Sequence, residues 1–239
     1  MDSLLTEIQG TGGDLGPGCL HCDLGLIPYS QAVAVMDELL RRRADGALPD
    51  ILLFAEHPPT FTLGRFKRPV DFKPATVGLL EQVATICHTD RGGGVVYHGP
   101  GQLLVYPILG LRQLGLSVID YVRNLEELAI RTLRAFQIEG HRKGGYPGVW
   151  VGEAKIGFIG VHIGRGISKH GLALNVDPDL HYFDYIDCCG IPDVRITSMS
   201  RLRGDDLDMS LVKETMLGAF EAVFGIHVES GDLCLPQLR

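Results

Sequence analysis

The chain has 239 residues, of which 45% are hydrophobic and 21% are charged, so it can bury a substantial core and is not intrinsically disordered. Its formal net charge of −7 excludes a general nucleic-acid binder, because such proteins need a basic surface. The longest uncharged apolar stretch, residues 103–111, is far shorter than the roughly 20 residues of a membrane-spanning helix, so we expect no membrane association.

The N-terminal region carries no targeting pattern. Its first forty residues contain no Lys or Arg, whereas a secretory signal needs a basic start and a transit peptide is rich in Arg. We therefore predict a cytoplasmic protein, with a processed mitochondrial or plastid enzyme as the alternative. Residues 1–18 are rich in Gly and weakly patterned, which predicts a flexible segment before a single domain over residues 19–239. A smaller subdomain after residue 185 is the alternative.

The hydrophobic pattern, taken in chain order, changes repeatedly between strand and helix periods. A first helix capped by Ser30 follows a short strand, a long helix begins near Ser117, and a last helix covers residues 209–224. Predicted strands cover residues 20–27, 51–56, 85–89, 102–108, 148–151, 155–163, 171–176 and 226–229, while residues 60–65 form either a further strand or a loop. Residues 177–207 are expected to be mostly loop. Because strands and helices are mixed without strict alternation, the pattern predicts an α+β fold with mixed β-sheets flanked by helices.

Cysteine supplies two candidate nucleophiles and no predicted metal site. The chain has six cysteines, too few for a disulfide scaffold: Cys19, Cys22, Cys87, Cys188, Cys189 and Cys234. Cys19 and Cys22 have zinc-like spacing, but no second ligand pair matches them, so we interpret them as unrelated thiols and predict no metal. Cys189 precedes Gly190 in a predicted loop, where a thiol can be exposed to substrate. Cys188 is an equally simple candidate, and a buried structural cysteine is the alternative for both.

A glycine-rich loop over residues 91–102 (RGGGVVYHGPGQ) is the densest signal in the chain. Three successive glycines let backbone N–H groups approach a ligand closely, and Arg91 and His98 add polar groups at either side. The loop lacks the Lys-Ser/Thr of a phosphate P-loop and the spacing of a dinucleotide fingerprint. It therefore predicts a ligand-binding segment of another kind, with a flexible turn as the alternative.

Three further polar side chains have two interpretations each. Lys155 lies on a predicted strand between Ala154 and Ile156, so it is either an exposed lysine or a half-buried cation that favours a nearby thiolate. His98 and His170 either orient a catalytic partner or satisfy backbone groups.

Several separated segments carry a family resemblance. Residues 91–102 resemble the signature loop of the lipoyl(octanoyl) transferases, and residues 56–65 (EHPPTFTLGR) resemble a segment upstream of that loop. Residues 148–151, 155–156, 159–161, 170–175 and 189–191 follow in the order of that family, so that the resemblance covers residues 22–202. Two positions depart from the pattern, because Val96 replaces the usual Thr and Cys188 replaces the usual Pro.

The resemblance implies a fold like the catalytic domain of biotin and lipoate protein ligases. It implies that an octanoyl group passes from acyl carrier protein to a thioester on Cys189, with Lys155 activating the cysteine, and then to a lysine of a lipoyl domain. The implied acceptors are the lipoyl domains of 2-oxoacid dehydrogenase E2 subunits and of the glycine cleavage H protein. No cofactor is implied beyond the phosphopantetheine of the carrier, and we expect a monomer.

The resemblance also implies a substrate-binding set. Its members come from three segments: Arg91, Gly92, Gly93, Gly94, Val95, Val96, Tyr97, His98, Phe158, Ile159, Gly160, Gly171, Leu172 and Ala173. Residues 141–170 carry a net charge of +4 within a chain of −7, which would attract an acidic protein partner or form a merely solvated face. An ATP-dependent lipoate or biotin ligase and a non-catalytic acyl-binding module or thioesterase remain the alternative functions.

Overall fold

The computed structural model describes residues 18–66, 72, 80–187 and 194–231. The predicted flexible segment lies outside these ranges except for its last residue, and Cys188, Cys189 and Cys234 lie outside them as well. The helices are α1 (Tyr29–Ala44), α2 (Leu80–Val83), α3 (Val118–Ala135), α4 (Met199–Arg203) and α5 (Met209–Phe224), with a 3-10 helix over Leu180–Tyr185. The strands are β1 (Gly18–Leu26), β2 (Asp50–Glu56), β3 (Thr60–Leu63), β4 (Thr85–His88), β5 (Val95–His98), β6 (Gln102–Ile108), β7 (His141–Lys143), β8 (Tyr146–Val151), β9 (Ala154–Gly164), β10 (Ile167–Asn175), β11 (Arg195–Ile196) and β12 (His227–Ser230).

Two β-sheets organise the described residues. The large sheet has the order β12-β1-β2-β6-β10-β9-β8-β7, with β11 beside β9, and the small sheet has the order β4-β3-β5. Both contain parallel and antiparallel pairs. In the large sheet β1 runs parallel to β2 and β10 antiparallel to β9, and in the small sheet β3 runs parallel to β4 and antiparallel to β5. The predicted α+β class with mixed sheets and flanking helices is therefore confirmed.

The large sheet separates two hydrophobic layers. Side chains alternate along β2, so that Leu52 and Phe54 join the layer of α3 and α5, while Ile51 and Leu53 join the layer of α1 and the small sheet. All four of these side chains are fully buried, as expected for a strand covered on both faces. The small sheet is thereby packed over one face of β6, β9 and β10, which is where the glycine loop returns to the large sheet.

The two predicted serine caps have different outcomes in the structure. Ser117 caps α3 as predicted, because its hydroxyl accepts the Asp120 N–H while the Asp120 carboxylate accepts the Ser117 N–H. The predicted Ser30 cap is wrong. The Pro28 carbonyl accepts the N–H groups of Gln31 and Ala32, so α1 begins at Tyr29 and Ser30 already lies in its first turn.

Short elements account for the other differences from the predicted pattern. Residues 95–98, expected as part of a loop, form β5, which pairs antiparallel with β3. Residues 177–207 are not mostly loop, because they contain the 3-10 helix, β11 and α4. The strands predicted over residues 148–151 and 155–163 pair as the hairpin of β8 and β9, and the last helix covers the predicted residues. No helix in the described ranges is long and apolar enough to cross a membrane.

Candidate active site

The glycine loop is fixed between the small sheet and the large one. The Gly64 N–H donates to the Gly94 carbonyl at 3.1 Å on one side, and the Gly92 N–H donates to the Val161 carbonyl of β9 at 2.9 Å on the other. A Cβ atom at Gly64 would lie only 2.3 Å from the Gly93 carbonyl oxygen, so this approach requires glycine. These contacts favour the ligand-loop interpretation over a free turn.

The Arg91 guanidinium turns inward and holds this loop. Its Nη2 donates to the Thr62 carbonyl at 2.7 Å and to the Gly94 carbonyl at 2.9 Å, and its Nη1 donates to the Gly92 carbonyl at 3.0 Å. The residue is only 5% exposed. Arg91 therefore stabilises the loop conformation through backbone carbonyls, although the side chain also borders a cavity.

Two adjoining cavities bring the predicted segments together. The narrow cavity, of about 30 Å³, is lined by Tyr29, Arg91, Val96, His98, Leu104, Tyr106, Phe158, Ile159, Gly160, His170, Gly171, Leu172 and Ala173. The lysine cavity, of about 280 Å³, is lined by Gly92, Gly93, Gly94, Val122, Gly145, Tyr146, Pro147, Lys155, Ile159, Gly160 and Val161. The two cavities share Ile159 and Gly160. Twelve of the fourteen residues of the predicted substrate-binding set thus line one cavity or the other.

The other two residues of that set lie behind the cavity wall. Alternation along β5 directs Val96 and His98 to the narrow cavity, whereas Val95 and Tyr97 line neither cavity. The Tyr97 ring instead stacks on Tyr182, with ring centres 4.4 Å apart. A sequence motif names a run of neighbours, but a strand presents only alternate side chains to a ligand.

Lys155 is buried, so the exposed-lysine interpretation is wrong. The residue is 1% exposed, and its Nζ donates to the Pro147 carbonyl at 2.9 Å. The same Nζ lies 5.3 Å from the ring centres of both Trp150 and Phe158, which stabilise a cation through their π faces. A Cβ at Gly148 would lie 2.8 Å from the Lys155 Cε, so glycine there makes room for the side chain. Lys155 is thereby held as a buried cation at the cavity wall.

A buried carboxylate from α3 supports the strand beside this lysine. The Glu126 side chain is 2% exposed, and its Oε1 accepts the Gly148 N–H at 3.1 Å. Its Oε2 accepts from Arg142 Nε at 3.1 Å and from Arg123 Nη1 at 2.8 Å. Glu126 thus connects two surface arginines to the residue that follows Pro147, the hydrogen-bond acceptor of Lys155.

Neutral histidines line or underlie the narrow cavity. His57 Nδ1 lies 2.7 Å from the Ile27 carbonyl and its Nε2 lies 2.8 Å from the Tyr106 hydroxyl, while burial lowers the pKa of His57 to about 4. His98 Nδ1 lies 2.6 Å from Gln102 Oε1, and burial lowers the pKa of His98 well below its usual range. Both imidazoles are therefore uncharged near neutral pH.

His170 occupies an unusual position in the same wall. It adopts a φ of 59°, is 1% exposed, and its Nε2 lies 2.7 Å from Asp90 Oδ1. Burial lowers the pKa of His170 even though the Asp90 carboxylate opposes that change. The hydrogen bonds of Asp90 with His170 and Lys169 hold the pKa of the Asp90 carboxyl well below its usual range. His170 thereby holds Asp90 next to the glycine loop, and its orienting role towards a catalytic group stays a prediction.

The structure brings Lys155, the glycine loop and the Ile159-Gly160 pair around one cavity. Cys189 lies outside the described residues, and so does Cys188. Sequence reasoning missed Glu126, His57 and Asp90. His57 belongs to the segment 56–65 that carries the family resemblance, and Asp90 directly precedes Arg91, so the motifs themselves pointed to both. Nothing in the sequence pattern distinguishes Glu126 from the surface residues of its helix.

The remaining thiols and carboxylates give no metal site within the described ranges, where no three His, Cys, Asp or Glu side chains are grouped closely enough to hold an ion. Cys19 is buried, and burial together with the Asp50 carboxylate raises the pKa of its thiol. A raised pKa is the opposite of what a reactive cysteine needs. This favours the interpretation of Cys19 and Cys22 as unrelated thiols.

Comparisons with known proteins extend these observations. Residues 28–221 match the family model of the lipoyl protein ligase A/B catalytic domain. An octanoyltransferase of Syntrophobacter fumaroxidans is 43% identical over 194 residues, which is 81% of this chain and 85% of the relative. An octanoyltransferase of Chloroflexus aggregans is 44% identical over 207 residues, 85% and 94% of the two chains.

Solved structures agree on the fold. A lipoate-protein ligase A bound with ATP superposes with a TM-score of 0.70 at 16% identity, covering 90% of this chain and 88% of the other. A biotin protein ligase from Aquifex aeolicus in complex with biotin and ATP gives a TM-score of 0.51 at 12% identity, covering 87% and 70%. The expected likeness to biotin and lipoate ligase catalytic domains is thus confirmed at the level of the fold.

Proposed function

Because this chain belongs to the lipoyl protein ligase A/B catalytic-domain family, and is an acyltransferase like its octanoyltransferase relatives, we propose that it transfers octanoyl groups from acyl carrier protein to lipoyl domains. The group travels as a thioester on Cys189. The observation that carries the proposal is the burial of Lys155 in a cavity bounded by the glycine loop and adjoining a narrow apolar slot. A cation in that position favours a nearby thiolate.

The first half-reaction loads the enzyme. The Cys189 thiolate attacks the carbonyl carbon of the octanoyl thioester, and backbone N–H groups stabilise the oxyanion that forms. The bond between that carbon and the phosphopantetheine sulfur then breaks. The departing thiolate takes a proton from the Lys155 ammonium, which leaves an octanoyl thioester on Cys189 and a neutral Lys155.

The second half-reaction makes an amide. The amine of the acceptor lysine attacks the thioester carbonyl and transfers a proton to Lys155, and the Cys189 thiolate leaves. Both the thiolate and the ammonium are thereby restored. Because a thioester is converted into a more stable amide, the cycle needs neither ATP nor a cofactor of its own.

The narrow cavity offers the acyl chain an apolar surface, although its volume of about 30 Å³ is smaller than eight carbons require. Leu172, Ala173 and Phe158 supply an apolar wall, and each buried methylene contributes about 0.8 kcal/mol. Since Ile159 and Gly160 border both cavities, a chain that enters the narrow cavity keeps its carbonyl end on the side of Lys155. The acceptors we propose are the lipoyl domains of 2-oxoacid dehydrogenase E2 subunits and of the glycine cleavage H protein. We further propose that the enzyme acts as a cytoplasmic monomer.

Intact-protein mass spectrometry tests the proposal directly. After mixing with octanoyl-acyl carrier protein, the wild-type chain should gain one octanoyl group, Cys188→Ser should gain it too, and Cys189→Ser should not. An adduct that survives in Cys189→Ser would overturn the assignment of the nucleophile. Transfer that requires free octanoate and ATP, with no loading from the carrier, would instead show an ATP-dependent ligase.

A further inference from the structure

A third cavity lies against the lysine cavity on the side of α3. This outer cavity has a volume of about 290 Å³, and it shares Val122, Gly145, Tyr146 and Pro147 with the lysine cavity. Pro147 is also the residue whose carbonyl accepts the Lys155 hydrogen bond. The outer cavity therefore extends the space beside Lys155 towards the surface formed by the start of α3 and the β7–β8 turn.

The rim of the outer cavity combines apolar surface with positive charge. Ile119 is 74% exposed and Val118 is 49% exposed, which is unusual for aliphatic side chains on a helix. Arg123 and Lys143 stand beside them, with side chains 54% and 35% exposed. The carboxylate of Glu126, which also borders the cavity, is buried beneath the rim and shared by two arginines and a backbone N–H. Lys143 pairs at 2.7 Å with Glu153, whose side chain is 70% exposed and lines none of the three cavities. The exposed charged side chains that line the outer cavity are therefore both positive.

The charges at the rim of the outer cavity favour the acyl donor of the proposed reaction over the acceptor. The acceptor presents the amine of a lysine, which Arg123 and Lys143 would repel in its charged form. The donor presents a long, largely uncharged arm that begins at a phosphodiester on the carrier and ends at the thioester. Such an arm needs apolar walls along its length and cations at its outer end, and the outer cavity offers both.

We propose that the outer cavity receives the phosphopantetheine arm of the acyl carrier protein, with Arg123 and Lys143 facing its phosphodiester and the acidic carrier. This inference rests on the proposed function, because it assigns a path to the donor of that reaction. Two of the positive charges counted over residues 141–170, those of Lys155 and Lys169, are buried and therefore do not form part of a basic surface. Arg123, outside that segment, joins Lys143 to form the basic rim.

Arg142 does not belong to the test, although it lies nearby. It donates to Glu126 and to Glu127, so reversing its charge would leave three acidic side chains together and disturb α3. Arg123→Gln is milder, because Arg142 still neutralises Glu126. Lys143→Gln keeps only the first two methylenes of a side chain whose ammonium lies 4.7 Å from the centre of the Trp150 ring. It also releases Glu153, whose carboxylate is 70% exposed and can be solvated by water. Arg131→Gln is the matched control, since Arg131 is an ion-paired arginine of the same helix and lines none of the three cavities.

The experiment compares two octanoyl donors in the loading reaction of the full chain. Octanoyl-acyl carrier protein has the complete arm, whereas the thioester octanoyl-N-acetylcysteamine has no phosphate and only the end of the arm. For the carrier donor we expect KM to rise about tenfold in Arg123→Gln and in Lys143→Gln, because each loses a charge-assisted contact. For the truncated donor KM should stay unchanged, and Arg131→Gln should behave as wild type with both donors.

A variant that adds a negative charge should have a larger effect than the loss of one positive charge. Ile119→Glu adds a negative charge at a largely exposed position and should raise KM for the carrier donor alone. Equal losses with both donors, or no loss with either, would overturn the assignment. So would slower transfer from the preloaded octanoyl-enzyme to a lipoyl domain in Arg123→Gln, which would show that the acceptor docks there. Failure of the proposed function itself looks different, because the wild-type chain would then load from neither donor.

Discussion

The narrow cavity and the lysine cavity share Ile159 and Gly160, yet the side chains that line them differ in polarity and charge. Apolar side chains and imidazoles make up most of the wall of the first, where the Arg91 guanidinium is bonded to backbone carbonyls. The second is bordered by the buried Lys155 and continues to a basic rim. An apolar wall binds an alkyl chain through the hydrophobic effect, because water is released from both surfaces, and this interaction depends little on salt. A buried cation acts on charge that appears during the reaction. The narrow cavity therefore serves substrate recognition and the lysine cavity serves the chemistry, so variants of the first should change chain-length preference and variants of the second should change the reaction rate.

The largest effect should come from the charged side. In Lys155→Met the apolar volume is kept, but the proton donor for the departing thiolate is lost, so loading should slow by about 100-fold or more. Quenched-flow mass spectrometry with octanoyl-acyl carrier protein measures this rate. Lys213→Met, at a surface lysine paired with Asp23, is the control. A loading rate within threefold of wild type would remove Lys155 from the mechanism.

The apolar side should respond in chain-length preference instead. Ala173 is buried in the wall of the narrow cavity, and Ala173→Leu would fill part of the space offered to the chain. If four methylenes lose their burial at about 0.8 kcal/mol each, octanoyl loading should fall roughly two-hundredfold relative to butanoyl loading. The ratio of kcat/KM values for the two thioesters measures the effect. An unchanged ratio would mean that the chain does not bind in this cavity.

Much of the fold follows from hydrophobic periodicity, and its failures have local causes. The capping box at Ser117 and the amphipathic pattern of residues 209–224 fix two helices, because those signals lie within a few residues of the elements they specify. β11 contains only Arg195 and Ile196 and exists through its pairing with β9, which no local pattern announces. Short strands at sheet edges depend on tertiary pairing, so their own residues carry little signal.

The site divides in the same way. Motif positions led to the glycine loop, Lys155 and the segments that line both cavities, because glycines and a strand-borne lysine are visible in the chain. The side-chain directions of Val95 and Tyr97 depend on where β5 joins β3, which the motif does not encode. Glu126 comes from a helix far from the motifs in sequence, and only packing brings its carboxylate to the Gly148 N–H.

The uncharged state of the histidines can be tested through stability. The pKa of His57 is lowered to about 4 in the folded chain, from an ordinary value of 6.5. Between those values the unfolded chain binds a proton that the folded chain does not, so stability is complete above pH 6.5 and falls as pH drops towards 4. The shift corresponds to about 3 kcal/mol. Burial lowers the pKa values of His98 and His170 as well, which adds to the loss in the same direction.

Urea unfolding at pH 7.5, 6 and 5 measures this dependence. His57→Gln should lower stability at pH 7.5, because the buried hydrogen bonds with Ile27 and Tyr106 are altered, and should flatten the decline below pH 6.5. His227→Gln, at a side chain 75% exposed, should leave the slope as in wild type. A wild-type free energy of unfolding that is constant from pH 7.5 to 5 would contradict a neutral, buried His57.

The smallest effect is expected at Glu126, which supports the strand beside Lys155. Its variants show whether a change at the lysine cavity also alters the narrow cavity. Glu126→Ala leaves the Gly148 N–H without its acceptor and releases two arginines that can reach water, so we expect a loss of about 2 kcal/mol in unfolding free energy. Because Gly148 follows the Pro147 carbonyl that holds Lys155, loading should slow as well. Glu126→Gln keeps an amide oxygen for the Gly148 N–H and should restore loading more fully than stability. Chain-length preference, set by the narrow cavity, should be the same in all three proteins; a shifted octanoyl-to-butanoyl ratio would mean that the lysine side and the acyl side move together.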